Sequence, residues 1–276
     1  MKKRIHIFMC AVLSQNSKRG TGTILRTIFS PFKNCLHQTG RELFHIILTL
    51  MSSLCCLSDT TLLVADLYGN CLFVFYNKKT SFKSSTQVKL SSHPLDITKV
   101  KDNKVAVTFP NEEIVSLITF SETMTVTNTE DIKVGADCHG IACSNNNLIV
   151  SYTYPAQVQI LDMSGHVLKT FVNDSKGQSL FNNPRYLAVS ADNTIYVSDL
   201  DRHTVTSLTF DGKVKAIYKD DQLRAPCQLT VDESGTVYVC GAKSNNVHQL
   251  SSDLTKVKIL LNESHGIKFP VSVAYC

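Results

Sequence analysis

One short pattern opens six times along this chain, and it limits the fold more than any other feature. An aliphatic residue opens a short strand, a polar turn follows, and a second strand comes after it, closing in the three clearest copies on an aspartate or glycine; the sixth copy is an opening strand alone. "YLAVSADNTIYVSD" is the clearest copy. The opening positions are Leu54, Ile97, Ile141, Leu187, Leu229 and Val273, with spacings of 43, 44, 46, 42 and 44 residues. A period of this length, with several short strands per unit, marks a β-propeller, in which four-stranded blades pack around a central axis. A lone blade cannot bury its two faces, so at least several units are needed.

Each unit divides into four strands, a to d. In the copy around Leu187, strand a is "YLAVS", the a–b turn is "ADN", strand b is "TIYVSD" and the b–c loop is "LDRH". Strand c is "TVTSLTF" and strand d is "KVKAIYK", joined by Asp211-Gly212. That dipeptide predicts a two-residue type I′ hairpin. Pro94, Pro184, Pro226 and Pro270 stand three residues before their opening positions, where a fixed φ stiffens the entry and the missing N–H does no harm. Strand a reads as almost wholly apolar, as expected of the innermost strand. Asp66 and Asp199 recur at the end of strand b, which predicts that each carboxylate accepts N–H groups of its own b–c loop.

The strings "LLVADLYGNCLFVF", "CHGIA", "VQILDMSGHVLKT" and "VKAIYKDDQLRAPCQLTVDESGTVYVCG" resemble the C-terminal NHL-type propellers of tripartite-motif proteins. The resemblance covers about residues 52–276 and is closest to the large sets of bivalve molluscs. It implies an all-β, NHL-type propeller, six-bladed by family, of which this chain holds five full blades and the start of a sixth. A complete ring needs roughly 35 further residues at this period. The expectation is therefore an open ring or a piece of a longer protein, with Leu43–Met51 as a source of one outer strand. Residues 1–51 match no module of the family; they read as a basic, irregular or partly helical leader. The zinc ligands of a RING or B-box and a coiled coil are not legible, so ubiquitin ligation is not carried over.

Charge divides the chain in the same place. The first 50 residues hold eight Lys or Arg against Glu42 alone, while the rest holds 20 basic and 22 acidic residues. The overall charge of +5 belongs to the leader and gives no argument for a nucleic-acid-binding propeller. "MKKRIHIFMCAVLS" has the basic start and short apolar run of a secretory signal, interrupted by His6 and without a clean cleavage site. "ELFHIILTLM" is too short to span a bilayer. The ten cysteines form no C-x-x-C pair and sit in apolar runs, which reads as buried thiols of a cytoplasmic protein; secretion is the alternative.

Strands alternate in direction, so the d–a and b–c loops share one face. Binding candidates there are His139, Arg185, Tyr186, Arg202, His203, Arg224 and Lys243, with Gln228 close by and Tyr68 and Tyr152 joining from other blades. Arg forks suit carboxylate or phosphate, so the expected partner is a protein or peptide, with RNA as a second reading. No membrane contact, small-molecule substrate or cofactor is expected. "DCHG" gathers Asp137, Cys138 and His139, but neighbours in a strand point to opposite faces and do not converge. A third reading is a hydrolase of lactonase type with a channel metal. The strand-a entrances read as Pro94, His139, Arg185, Gln228 and Val271, with no acidic set to hold one.

Overall fold

The computed structural model of the chain describes residues 7–13, 51–58, 61–77 and 82–275. Its strands are β1 (Ile7–Leu13); β2 (Met51–Ser58), β3 (Thr61–Asp66), β4 (Cys71–Asn77) and β5 (Phe82–Lys89) in blade 1; and β6 (Ile97–Lys101), β7 (Lys104–Phe109), β8 (Ile114–Phe120) and β9 (Val126–Lys133) in blade 2. Blade 3 holds β10 (Cys138–Ser144), β11 (Asn147–Thr153), β12 (Ala156–Leu161) and β13 (Val167–Phe171). Blade 4 holds β14 (Pro184–Val189), β15 (Ile195–Asp199), β16 (Thr204–Leu208) and β17 (Val214–Lys219). Blade 5 holds β18 (Pro226–Val231), β19 (Val237–Gly241), β20 (Asn246–Leu250) and β21 (Val257–Leu261), and β22 (Ile267–Tyr275) follows. Among the described residues these make five antiparallel four-stranded sheets in simple sequence order, plus a two-stranded sheet of β22 and β1.

The molecule is the β-propeller that the repeat predicts. Its inner ring closes: β22 packs against β18 on one side and β2 on the other, and the remaining first strands pack in succession between them. The sixth sector therefore holds an inner strand of its own. β1, from the basic leader, pairs antiparallel with it, Ile7 opposite Tyr275 and Leu13 opposite Ile267. This stretch of the leader is extended strand and not helix. The expected contribution of Leu43–Met51 falls, up to Met51 itself, outside the described residues.

Alternation builds the core. On β15, Ile195 and Val197 pack toward blade 3 with Ile149 and Ile160, while Tyr196 between them packs toward blade 5 with Val237 and Val239. Each second strand is thus held between two neighbours, and β3, β15 and β19 are buried along their whole length. Comparable clusters join blades 1 and 2, 2 and 3, and blade 5 with β22; Leu54, Leu62 and Val64 meet Ala274 to close the ring. A fully buried aliphatic side chain contributes about 1.5–3 kcal/mol.

Two expectations about local structure change. Strand a is innermost, as read, but it is not the most buried: β14 and β18 are buried only in part, because their later residues line an axial funnel, and the strand sealed on both faces is strand b. The Asp211-Gly212 turn is not type I′. Gly212 has φ of 85°, but Asp211 is not left-handed, Gly212 N–H bonds Thr209 O, and Thr209 N–H bonds Lys213 O. That is a three-residue loop, a type I turn ending in a left-handed glycine. Gly165 closes the same loop after Asp162.

The carboxylates at the end of strand b hold as read. Asp66 Oδ1 accepts the N–H of Tyr68 (3.1 Å) and Gly69 (2.9 Å). Asp199 accepts Asn182 N–H (2.6 Å), Asn183 N–H (3.2 Å) and Arg202 N–H (3.0 Å), tying the preceding d–a loop to the b–c loop. Cys55, Cys71, Cys138, Cys143 and Cys227 are free thiols. Cys56 departs from that reading: its sulfur is in a disulfide whose partner lies outside the described side chains.

Candidate functional site: the axis and its loop-bearing mouth

The residue one place before each opening position faces the axis. Around the ring these are Ser53, Asp96, Gly140, Tyr186, Gln228 and Ser272. The six inner strands supply five residue types, and their polar atoms interlock. Asp96 Oδ1 accepts from Ser53 Oγ (2.6 Å) and Ile97 N–H (2.9 Å), and Oδ2 accepts from Ile141 N–H (2.8 Å). Gln228 Nε2 donates to Ser53 Oγ (2.7 Å), Leu54 O (3.1 Å) and, more loosely, Asp96 Oδ1 (3.4 Å). Its Oε1 accepts from Leu54 N–H (3.2 Å), Val273 N–H (3.2 Å) and the Ser272 hydroxyl. Tyr186 reaches across the ring from blade 4 to blade 1, where its hydroxyl donates to Ser52 O at 3.2 Å. Gly140 leaves the space for this: a Cβ there would lie 2.5 Å from Arg185 O and 2.7 Å from Tyr186 Cα.

A second layer repeats where the first varies. As the chain enters strand a the register slips, between Cys138 and Ile141 and between Pro184 and Tyr186, which frees an N–H from the ladder. A hydroxyl on strand b of the same blade receives it: Thr108 from Asp96 (3.0 Å), Ser151 from Gly140 (2.9 Å), Ser198 from Tyr186 (3.2 Å). Thr108 and Ser151 then donate onward to the next blade, to His139 O (2.7 Å) and Arg185 O (3.1 Å). These hydroxyls satisfy a buried N–H and stitch neighbouring blades with one atom.

Asp96 is the residue that the sequence reading missed. It is 2% exposed, and burial pushes its carboxyl up to about 7. It forms the floor, with Gln228, of a funnel of about 180 Å³ that opens along the later residues of strand a, among them Thr98, Lys99, Cys143 and Thr230. The channel thus holds one carboxylate where none was expected. Among the described residues no three His, Cys, Asp or Glu side chains gather as metal ligands would.

The predicted binding residues separate into three groups. Tyr186 and Gln228 belong to the buried axial ring and not to the loop face, and burial pushes the Tyr186 phenol well above its ordinary range. Arg202 and His203 are spent on the fold: Arg202 Nη1 and Nη2 bond Leu180 O (2.8 Å) and Ser179 O (2.9 Å). His203 Nδ1 lies 2.8 Å from Leu200 O and 3.2 Å from Ala225 N, between two loops. Arg185, His139, Arg224 and Lys243 remain. Arg224 and Lys243 are exposed and joined through Lys243 N–H to Arg224 O at 3.1 Å. Arg185 and His139 are half-buried at the mouth of the axis, with Nη1 and Nδ1 3.0 Å apart. Burial, then the nearby guanidinium, pushes the His139 imidazole down to about 4. Cys138 points away, fully buried, as the alternation of the strand requires.

Tyr68 is exposed on this face as expected, whereas Tyr152 is buried in the core between blades 2 and 3; Tyr154 and Phe269 were not singled out by the sequence. Tyr68 and Tyr154, in b–c loops, are 68% and 81% exposed, and Phe269, beside the last d–a junction, is 50% exposed. The other large exposed hydrophobics are aliphatic and include Val167, Leu168, Val214, Ile217 and Val257 of the outer strands.

No family model matches the sequence. No curated protein matches it either. Solved structures do match in shape. A nidogen/laminin complex has a chain superposing with a TM-score of 0.66 at 14% identity, over 82% of this chain and 84% of that one. A protein of unknown function from Bacteroides caccae gives 0.63 at 12%, over 82% and 86%. Virginiamycin B lyase from Staphylococcus aureus gives 0.58 at 12%, over 77% and 70%. At such identities the likeness establishes the architecture alone, and this chain is by that measure a β-propeller.

Proposed function

We propose that the chain is a non-catalytic docking propeller, of the NHL type carried by tripartite-motif proteins, and that it binds a protein partner through its d–a/b–c face. The observation that carries this reading is that Tyr68, Tyr154 and Phe269, the exposed aromatic rings among the described residues, all lie on that one face. Exposed aromatic rings are costly to leave in water and are enriched among the residues that dominate protein interfaces. The charges around them are mixed: Glu112, Glu113, Asp137, Asp201 and Asp221 are exposed beside Arg224 and Lys243. A nucleic-acid backbone selects a basic surface, so this mixture favours a protein over RNA. The fold leaves chemistry open, since its relatives in shape include a lyase as well as a protein complexed with laminin. Asp96 is engaged by hydrogen bonds to three blades besides its own, which supports a structural role for it. A cytoplasmic location is part of the proposal and rests on the free thiols; the Cys56 disulfide weighs toward an oxidising compartment.

The test is affinity capture with the full chain against a Tyr68→Ser/Tyr154→Ser double variant and a Lys101→Ser/Lys213→Ser variant of the opposite face. The expected result is a bound protein lost with the tyrosines and kept with the lysine changes. The reverse pattern, or capture of RNA with a steep salt dependence, removes the reading.

A further inference from the structure

Among the described residues of the loop-bearing face, Arg185 has its guanidinium drawn inward with no acid to meet it and, unlike that of Arg202, with no backbone carbonyl either. Its Nε is buried with no hydrogen-bond partner, and Nη1 reaches only His139 Nδ1, at 3.0 Å. Guanidinium is always protonated, so it is the donor in that pair. Nδ1 of His139 is then the acceptor, and the ring is neutral with its proton on Nε2, in keeping with the strong depression of its basicity. The two side chains together present N–H groups and no acceptor.

Their surroundings do not neutralise the charge. The residues two places before each opening position ring the mouth of the axis: Ser52, Leu95, His139, Arg185, Cys227 and Val271. None is acidic, and all but Ser52 are half-exposed. No ion pair is formed by Arg185 among the described residues, whereas Lys99, Lys104, Lys213 and Lys215 each have a carboxylate partner. Leaving a half-buried cation and an orphaned N–H in the free protein costs stability, and a ligand that supplies the missing acceptor recovers it.

We infer that Arg185 and His139 form a receptor for a carboxylate group of the docked protein, at the mouth of the axis on the face that carries the exposed aromatics. The inference rests on the docking reading of this face and adds the chemistry of its central contact. A planar guanidinium fork matches a carboxylate with two parallel hydrogen bonds, which an ammonium cannot reproduce. The carboxylate is supplied by an Asp or Glu side chain or by a chain terminus.

Two peptide libraries distinguish these sources, one displaying random internal segments and one displaying random sequences with free C-termini. Both are selected on the folded full chain, and the enriched peptides are then measured against Arg185→Gln and Arg185→Lys. Enrichment of Asp or Glu in the first library, or a free terminus in the second, is expected, with affinity falling roughly 10–100-fold in Arg185→Gln and most of that loss remaining in Arg185→Lys. Thermal melts confirm that the variants fold. Peptides that bind both variants as tightly as wild type overturn the carboxylate receptor and leave the docking face standing. Failure to select any peptide that the Tyr68→Ser/Tyr154→Ser variant loses overturns both. A single-stranded RNA probe released by Arg185→Gln, with no acidic peptide enriched, assigns the fork to phosphate and also overturns the inference.

Discussion

Strand b and the entrance of strand a lie side by side, yet they are built on opposite plans. On strand b the same kind of residue returns: a hydroxyl at Thr108, Ser151 and Ser198 takes one N–H of its own blade, and at the first two gives its proton to the next. At the axis nearly every blade contributes something different, from the missing side chain of Gly140 to the ring of Tyr186 that spans the gap. The contrast separates two tasks. Neighbouring blades meet in the same geometry each time, so one device serves them all. The axis is a single place that six residues share, so their shapes must fit one another and cannot be copied.

The contrast breaks most visibly at Gly140. Gly140→Val places atoms against the backbone of Arg185 and Tyr186, which cannot withdraw, and is expected to cost roughly 3 kcal/mol or more in denaturant unfolding. Gln228→Ala removes the amide that joins blade 5 to blade 1 and to β22, leaving Ser272 and two backbone N–H groups without their acceptor; a loss of about 2–3 kcal/mol is expected. Ser151→Ala frees one N–H and one carbonyl within the repeated layer and is expected to cost about 1–2 kcal/mol, measurable in the same experiment. If Ser151→Ala proves the most damaging of the three, the axis is not where the ring is locked.

The smallest net effect is in the pH dependence of the wild type, where two trends oppose. His139 and the buried His248, whose basicity is lowered chiefly by burial, are held neutral in the fold. Their contribution to stability is therefore full above the ordinary imidazole value near 6.5 and is lost as pH falls below it, toward about 4 for His139. Asp96 acts in the other direction. Its carboxyl is raised to about 7, so its contribution is full below the ordinary value of 3.8 and is lost as pH rises through about 7. The two trends oppose, and Asp96→Asn removes one of them. Stability of that variant should fall more steeply than wild type between about pH 7 and 4; equal slopes would show that Asp96 does not titrate there.

The same division explains what the sequence disclosed. The period, the four strands of each tile and the duty of Asp66 and Asp199 were legible because they recur, and recurrence is visible without an alignment. The axial ring was hidden because its members differ in type, and Asp96 was passed over for Pro94 two places earlier, which follows the repeat. Tyr186 and Gln228 were assigned to the loop face because a polar group next to a loop looks exposed until the ring closes over it. The pairing of β1 with β22 joins residues from opposite ends of the chain, and no local pattern carries such a contact. The turn at Gly212 was misjudged by one residue, since a dipeptide does not specify whether one or both positions turn left-handed.

The account depends most on which face meets the partner. Lysine cross-linking and mass spectrometry on the captured complex test this directly, because both faces carry lysines: Lys176 and Lys243 among the d–a and b–c loops, Lys101 and Lys213 among the turns opposite. Cross-links from the partner should fall on Lys176 and Lys243. Links concentrated on Lys101 and Lys213 would place the partner over the funnel end and contradict the proposal.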